Sequence, residues 1–477
     1  MTYKDIINEI TKNYPDKIVA IDYDDKEGEK VRTSELYERS NAIIAGLNAL
    51  GFVKGDKIAI LCKSSLNYRK LFWVAGKGGF VLIPVNSRLT PQEALYIIGN
   101  SEAKAIIVSE DYVGTVNAIK KDLNRIESFF SIDPGIQGYT YLGDLENKYA
   151  GNNPVAALEE DDLLWFQYTS GTTGLPKGAM HTQGTAAAVI EFAESELRSA
   201  GVAMHVLPAY SFAGIAFDMF YQRSGLTTIF MKKYDTDKMM ELIEKYKVTD
   251  IHLVPVIINF MLNSPNFGKY DLSSLKDITY GGSPMPPELL RLAIEKLGPI
   301  FMQDYGASEA GGLTLLHKED HIIDGTPEEL RRLASCGRPK YGIDTKVLNE
   351  KGEEVKPGEI GELTVKSPAV MKGYWKSPEL TKEALRDGRF YTGDLCTIDE
   401  QGFIYIKDRV KDLIISGGMN IYPFEVESAL MEHPAILDAA VIGIPDETWG
   451  EAVCAFIVFR QGQTATKAEI EELCLSI

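Results

Sequence analysis

Cysteine is scarce in this chain. Cys62, Cys336, Cys396, Cys454 and Cys474 are odd in number, scattered, and never spaced as C-x-x-C. That excludes a disulfide framework and points to a reducing compartment, so the expected location is the cytoplasm. Positive charge is also in deficit. Lys and Arg total 50 against 68 Asp and Glu, a formal charge of −18. Nothing here resembles the basic footprint that nucleic acid or an anionic membrane requires. An anionic small ligand is still compatible, because a local site overrides the average. Apolar runs long enough for a membrane span are missing too. Residues 199–217 carry no formal charge, but they include His205, Pro208, Tyr210 and Ser211, which reads as a buried loop and helix. The start, MTYKDIINEI, is charged early and lacks the apolar stretch of a signal peptide. Short-period repeats, a Walker A loop and a GxGxxG turn are all absent.

What is present is an ordinary globular composition, 45% hydrophobic and 25% charged over 477 residues, enough for several domains. The first half alternates helical and strand-like segments. Residues 34–50 place Leu36, Ile43, Ile44 and Leu47 at helical spacing, and 57–62, 80–85 and 105–108 are short apolar runs. Thr90-Pro91-Gln92-Glu93 is a capping box with proline at the first helical position. The same rhythm resumes from Leu163 to Gln303, with strands expected at 251–254, 277–280 and 300–303 and a helix over 287–297. Strand, helix, strand in succession predicts parallel sheets covered by helices. From Gly342 the texture turns β-rich, with Gly and Pro turns, which predicts a small mixed-β subdomain. Beyond Lys411 a short α+β segment follows, with strands near 413–415, 439–444 and 453–459 and a helix over 424–431. Thr466 and Glu469 open one more helix, whose apolar face is Ile470, Leu473, Cys474 and Ile477.

The strongest local signal is YTSGTTGLPKG at 168–178, directly after the apolar LLWFQ. Gly171 and Gly174 allow backbone to approach an anion. The hydroxyls of Thr169, Ser170, Thr172 and Thr173 can donate to phosphate oxygens, and Lys177 adds a positive charge. A polar turn between two elements is the plain alternative. The paired histidines of His317-Lys-Glu-Asp-His321 do not form HExxH and sit in a charged stretch, so no zinc site is expected. The GxSxG-like Gly306–Ala310 lacks its second glycine.

This loop closely resembles the phosphate loop of the adenylate-forming acyl-CoA synthetase superfamily. Further matches follow in order across nearly the whole chain: QDYGASE at 303–309, YTGD at 391–394, and DRVKD at 408–412 followed by SGGMN at 416–420. The resemblance implies an α/β fold. Its large N-terminal domain, residues 1–408, has two parallel-rich, helix-covered sheets and a small β-barrel-like subdomain. A small α+β C-terminal domain, 409–477, follows, with a hinge near Lys411. It implies an AMP-forming acid–thiol ligase that uses ATP, Mg²⁺ and coenzyme A on a carboxylic acid. A medium- or long-chain fatty acid is the expected substrate, with an alicyclic or aromatic acid as runner-up. A non-catalytic binder of nucleotide or acyl-adenylate is the rival from another class. A homodimer is compatible.

The resemblance also distributes roles. The 168–178 loop, Lys177 included, would hold the β and γ phosphates, Glu309 would ligate Mg²⁺, and Ser308 would contact the α-phosphate. Gly282, Ser283, Pro284, Asp304, Tyr305 and Gly306 would surround the adenine and sugar side, and Asp394 and Arg409 would bind ribose. Gly281, Gly306, Gly311 and Gly312 would border the acyl group with Ser211 and Phe212, and their small size suggests room for a large tail. Gly417, Gly418 and Asn420 would approach coenzyme A. Two departures stand out. Ser211 occupies the position of a histidine in LPAYSFAG. No PxxxxGK motif with its adenylation lysine occurs, and about 50 further residues are expected from the resemblance. The C-terminal domain is therefore expected to be incomplete, with slow adenylation if 477 residues is the working length.

Overall fold

In the computed structural model, residues 1–24, 26–169, 175–194, 201–416, 419–431, 433–446, 449–475 are described. By mutual contacts they fall into two units, Met1–Ile343 with Lys366–Gly388, and Asp344–Val365 with Arg389–Ile477.

The first unit holds two sheets. A seven-stranded sheet is parallel from Thr140–Tyr141 through Leu163–Thr169 and gains an antiparallel edge at Lys177–Thr182. A nine-stranded sheet runs parallel from Ile18–Asp24 through Thr227–Met231, Val202–His205, Asp250–Leu253 and Asp277–Gly281 to Phe301–Ala307. The apolar runs become strands because both faces are covered. Ile58, Ala59 and Ile60 are all buried. Alternation sorts the nine-stranded sheet. Met204, Ile229, Ile251 and Ile278 pack into one core, while Ala203 and Phe230 face another that the two sheets share. The helices Tyr3–Asn13, Leu66–Gly78 and Phe212–Arg223 supply side chains to that shared core.

The sequence expectations fit closely where local chemistry is strong. The capping box at Thr90 forms and opens the helix Pro91–Ser101. The helix Pro287–Leu297 and the strand Ala105–Val108 keep their predicted bounds. The uncharged stretch around residue 210 is instead a strand, Val202–His205, then a turn, then the helix Phe212–Arg223. Its strand is only four residues long, so periodicity could not separate it from the following loop.

The second unit begins with antiparallel pairing of Gly361–Lys366 with Arg389–Ile398 and of the latter with Ile404–Arg409. A four-stranded antiparallel sheet follows, in the order Met419–Ile421, Ile414–Ser416, Gly450–Phe459, Ile436–Asp446. The helix Pro423–Met431 packs Leu430 with Ile414 and Ile436, and Ile470 of the last helix joins them. Ile477, expected on that helix's apolar face, lies outside the described residues.

One buried group is energetically unfavourable. Lys77 is 4% exposed, with Nζ donating to the Tyr37 carbonyl at 2.9 Å and lying over the Tyr37 ring. Burial, then the charge of Lys4, pushes its pKa down to about 7. The unfolded chain therefore binds more protons between pH 7 and the normal lysine range, and stability rises with pH across that window. Below pH 7 the charging cost is fully present. Lys77→Met is expected to raise the thermal midpoint at pH 6, with the gain shrinking toward pH 10. A midpoint unchanged or lowered at pH 6 would contradict this account.

Candidate active site

The loop predicted to hold phosphate joins two antiparallel strands. Leu163–Thr169 pairs with Lys177–Thr182 so that Thr169 faces Lys177 and Tyr168 faces Gly178. Ser170, Gly171, Thr172, Thr173 and Gly174 lie outside the described residues. Of their two flanks, Thr169 reaches a carboxylate and Lys177 lies beside a tyrosine ring that reaches the same carboxylate. Glu309 Oε1 accepts from the Thr169 hydroxyl at 3.4 Å and from the Tyr374 hydroxyl at 3.0 Å. Lys177 Nζ lies 5.6 Å from the centre of the same Tyr374 ring. No hydrogen bond to Glu309 Oε2 occurs among the described residues, so one oxygen is available for a further partner.

Tyr374 has no counterpart in the sequence reading. It reaches the site because residues 372–375 add an edge to the Lys177–Thr182 strand. Met180 N donates to Gly373 O at 2.9 Å, and Trp375 N donates to Gly178 O at 2.8 Å. Burial, then the Glu309 charge, raises the Tyr374 phenol well above its ordinary value. It is therefore a hydrogen-bond donor at any pH where the protein is handled.

His181 is a second residue the sequence did not flag. It is fully buried and stacked on Trp165, with ring centres 4.3 Å apart. Burial pushes its pKa down to about 3, so the ring is neutral. Its Nε2–H donates to the Ser308 carbonyl at 2.9 Å. The ring thereby fixes the backbone immediately before Glu309, whose own carbonyl accepts from Met371 N at 2.7 Å. The spacing signal was slight: a histidine four residues past Lys177 in the partner strand.

Gly282, Ser283 and Pro284 follow the carboxyl end of Asp277–Gly281, next to Phe301–Ala307, which carries Asp304, Tyr305 and Gly306. Carboxyl ends of parallel strands are where open α/β sheets bind ligands. Ser211 caps the helix Phe212–Arg223, accepting from Gly214 N at 3.0 Å and donating to Pro208 O at 2.7 Å. Its hydroxyl is therefore committed to the backbone, and Phe212 stands beside His181, ring centres 5.3 Å apart.

The glycines do not signify empty room. A Cβ on Gly281 would collide with the Asp304 carbonyl, and one on Gly306 with the Gly311 carbonyl. A Cβ on Gly312 would sit 2.7 Å from the Asp304 carboxylate and 2.9 Å from Lys340 Nζ. Close strand approach requires these glycines, so their size says nothing about a large tail. Gly311 adopts φ +81°, a left-handed conformation that favours glycine for its own reason.

In the second unit, Asp394 and Arg409 are register partners on adjacent strands. Arg409 Nε stands 3.4 Å from Asp394 Oδ1, with the carboxylate mostly buried and the guanidinium mostly exposed. Asp394 is thus a paired carboxylate rather than a solvated turn residue. Gly393 turns the chain at φ +77° and donates its N–H to Glu362 Oε1 at 3.0 Å. Lys411 is exposed in the turn that follows, and Asn420 is exposed on a short edge strand. Gly417 and Gly418 lie outside the described residues.

The chain is similar to known proteins over most of its length. It is 35% identical over 435 residues to a long-chain-fatty-acid–CoA ligase of Mycobacterium tuberculosis, covering 90% of this chain and 83% of that protein. It is 34% identical over 439 residues to a feruloyl-CoA synthase of an Amycolatopsis species, covering 91% of this chain and 85% of that protein. Among solved structures, ATP-bound MatB from Rhodopseudomonas palustris superposes with a TM-score of 0.89 at 29% identity, covering all of this chain and 92% of that one. No helix among the described residues is long and apolar enough to cross a membrane. The profile described as AMP-binding enzyme matches residues 7–375 and that of its C-terminal domain residues 425–476, and the chain belongs to the AMP-binding enzyme family.

Proposed function

We propose that this enzyme ligates a carboxylic acid to coenzyme A through an acyl-AMP intermediate, with ATP and Mg²⁺. The observation that supports this best is the pair of hydrogen bonds that Thr169 and Tyr374 give to the Glu309 carboxylate, with Lys177 beside the Tyr374 ring. A carboxylate is a poor electrophile. Attack of its oxygen on the α-phosphorus of ATP expels pyrophosphate and leaves the acyl group on AMP. Attack of the coenzyme A thiol on that carbonyl then expels AMP. The enzyme's task is to bring two anions together.

The donor set fits a magnesium ion. Mg²⁺ takes one or two carboxylate oxygens and completes its shell with water and substrate phosphates, and Glu309 Oε2 has no hydrogen-bond partner among the described residues. When bound, the ion supplies positive charge against the phosphates. Thr169 and Tyr374 hold the carboxylate in place. Lys177, with Ser170, Gly171, Thr172, Thr173 and Gly174, receives the β and γ phosphates, and Ser308 the α-phosphate. Gly282, Ser283, Pro284, Asp304, Tyr305 and Gly306 take the adenine side. Asp394 and Arg409 take the ribose hydroxyls. Residues 1–408 and 409–477 act as two parts about a hinge at Lys411, and Gly417, Gly418 and Asn420 approach coenzyme A. The acid is of medium or long chain, as the fatty-acid ligase relative supports, or aromatic, as the feruloyl-CoA synthase relative supports.

The test is pyrophosphate release with ATP and Mg²⁺ across fatty, alicyclic and aromatic acids, with and without coenzyme A. Acid-dependent release, with thioester formed only when coenzyme A is present, is the expected result. ATP binding without release for any acid would favour a non-catalytic binder instead.

A further inference from the structure

The nine-stranded sheet carries a polar stripe on the face it turns toward the helix Phe212–Arg223. His205 and His252 are the next residues along neighbouring parallel strands after the pair Met204 and Ile251. His252 pairs in register with Thr279, and two residues on, Gly281 pairs with Asp304. All of these point to the same face, because register partners in a sheet do so and alternate residues repeat. Asp304 is closed off by Lys340, Nζ to Oδ1 at 2.6 Å, with the lysine 4% exposed.

His252 is different. It is 95% buried, its ring is packed against Phe217 with centres 3.8 Å apart, and neither nitrogen has a hydrogen-bond partner among the described residues. Its Nε2 lies 3.8 Å from where a Cβ on Gly281 would stand. A buried imidazole with both nitrogens unpaired is costly and uncommon. It sits two strand positions, about 10 Å, from the strand that carries Tyr305 and Gly306.

We propose that His252 is a specificity-determining residue, and that the acid this enzyme takes carries a hydroxyl at its far end which hydrogen-bonds the His252 ring. The inference rests on the proposed function and on the acyl group lying beside the strand ends at Gly281 and Gly306, where the resemblance places it. The ring is neutral, held so first by burial and then by the nearby His205 and Lys340. A neutral imidazole offers one donor and one acceptor. A hydroxyl can meet whichever nitrogen faces it, because it both donates and accepts. A second carboxylate fits poorly: the nearby cation, Lys340, is already matched by Asp304, so the added charge would be buried uncompensated. A plain hydrocarbon end would leave both nitrogens unpaired. The two-strand separation of about 10 Å between His252 and the strand of Tyr305 and Gly306 sets the scale of the arm, and a para-hydroxyaryl propenoate or an eight-carbon ω-hydroxy acid is of that order of length.

The experiment is equilibrium binding of four acyl-sulfamoyl adenosines to the 477-residue protein. They carry 4-hydroxycinnamoyl, cinnamoyl, 8-hydroxyoctanoyl and octanoyl groups. The hydroxylated partner of at least one pair is expected to bind about 20-fold tighter. In His252→Leu that ratio should fall to near one while the deoxy partner keeps its affinity. His252→Gln, which retains a donor and an acceptor, should keep part of it. Equal or weaker binding of both hydroxylated partners to the wild type overturns the proposal without any variant. So does a preference that survives in His252→Leu. Failure of the underlying site assignment looks different: all four analogues would then bind no better than AMP, and the inference would fall with it.

Discussion

Replacing Glu309 by glutamine is expected to lower kcat/KM for pyrophosphate release about 100- to 1,000-fold at fixed Mg²⁺. The amide oxygen can still accept from Thr169 and Tyr374, so the local structure should persist and the thermal midpoint should change little. What is lost is the negative charge at Oε2. Tyr374→Phe tests the same centre from the other side. It removes one neutral donor to the carboxylate and should cost about 10-fold, partly recovered at higher Mg²⁺. The graded pair distinguishes charge from scaffolding. If Glu309→Gln kept full activity while Tyr374→Phe lost it, the carboxylate would be an anchor for the 372–375 edge and not a metal ligand.

That centre also shows what a sequence can and cannot reveal. The 168–178 loop and the 303–309 segment are local patterns: hydroxyls, glycines and a lysine within a few residues, following apolar runs. Their strands form where the apolar runs predict. Tyr374 carries no such mark. It lies 65 residues from Glu309, and one antiparallel bridge to Ala179 brings it in. Nothing periodic records a single bridge. His181 is similar, since its role depends on Trp165 lying flat beneath it across a strand pair.

The glycines illustrate the opposite error. Gly281, Gly306 and Gly312 read as vacant space around a substrate. In the fold each is pressed against a carbonyl or the Asp304–Lys340 pair. Composition cannot separate a glycine that makes room from one that has none, because both readings need the same missing Cβ. Burial decides it. The stripe of His205, His252 and Asp304 was equally hidden, because each residue sits in a different strand.

The largest loss of stability is expected at the seam between the two sheets. Arg69, wholly buried, comes from the helix Leu66–Gly78 and pairs with Asp218 of the helix Phe212–Arg223. Its other nitrogens are also used. Nη1 donates to Val19 O at 2.6 Å and Nη2 to Thr228 Oγ1 at 2.7 Å, both on the nine-stranded sheet. Gln222 Nε2 donates to Asp218 Oδ2 at 2.9 Å, and Trp73 Nε1 donates to Gln222 Oε1 at 2.5 Å. One guanidinium thus ties two helices to two strands of the neighbouring sheet. Asp218→Ala would leave that cation buried without its counter-charge, at a cost of about 3–5 kcal/mol. For a chain of ordinary marginal stability this removes much of the margin. The double variant Arg69→Met with Asp218→Leu removes both charges and fills the volume, and it should recover a large part of the loss. Denaturant midpoints for the three proteins decide the matter. A double variant no better than Asp218→Ala would mean that the hydrogen bonds to Val19 and Thr228, rather than the ion pair, hold the seam, because those are the contacts the double variant still lacks.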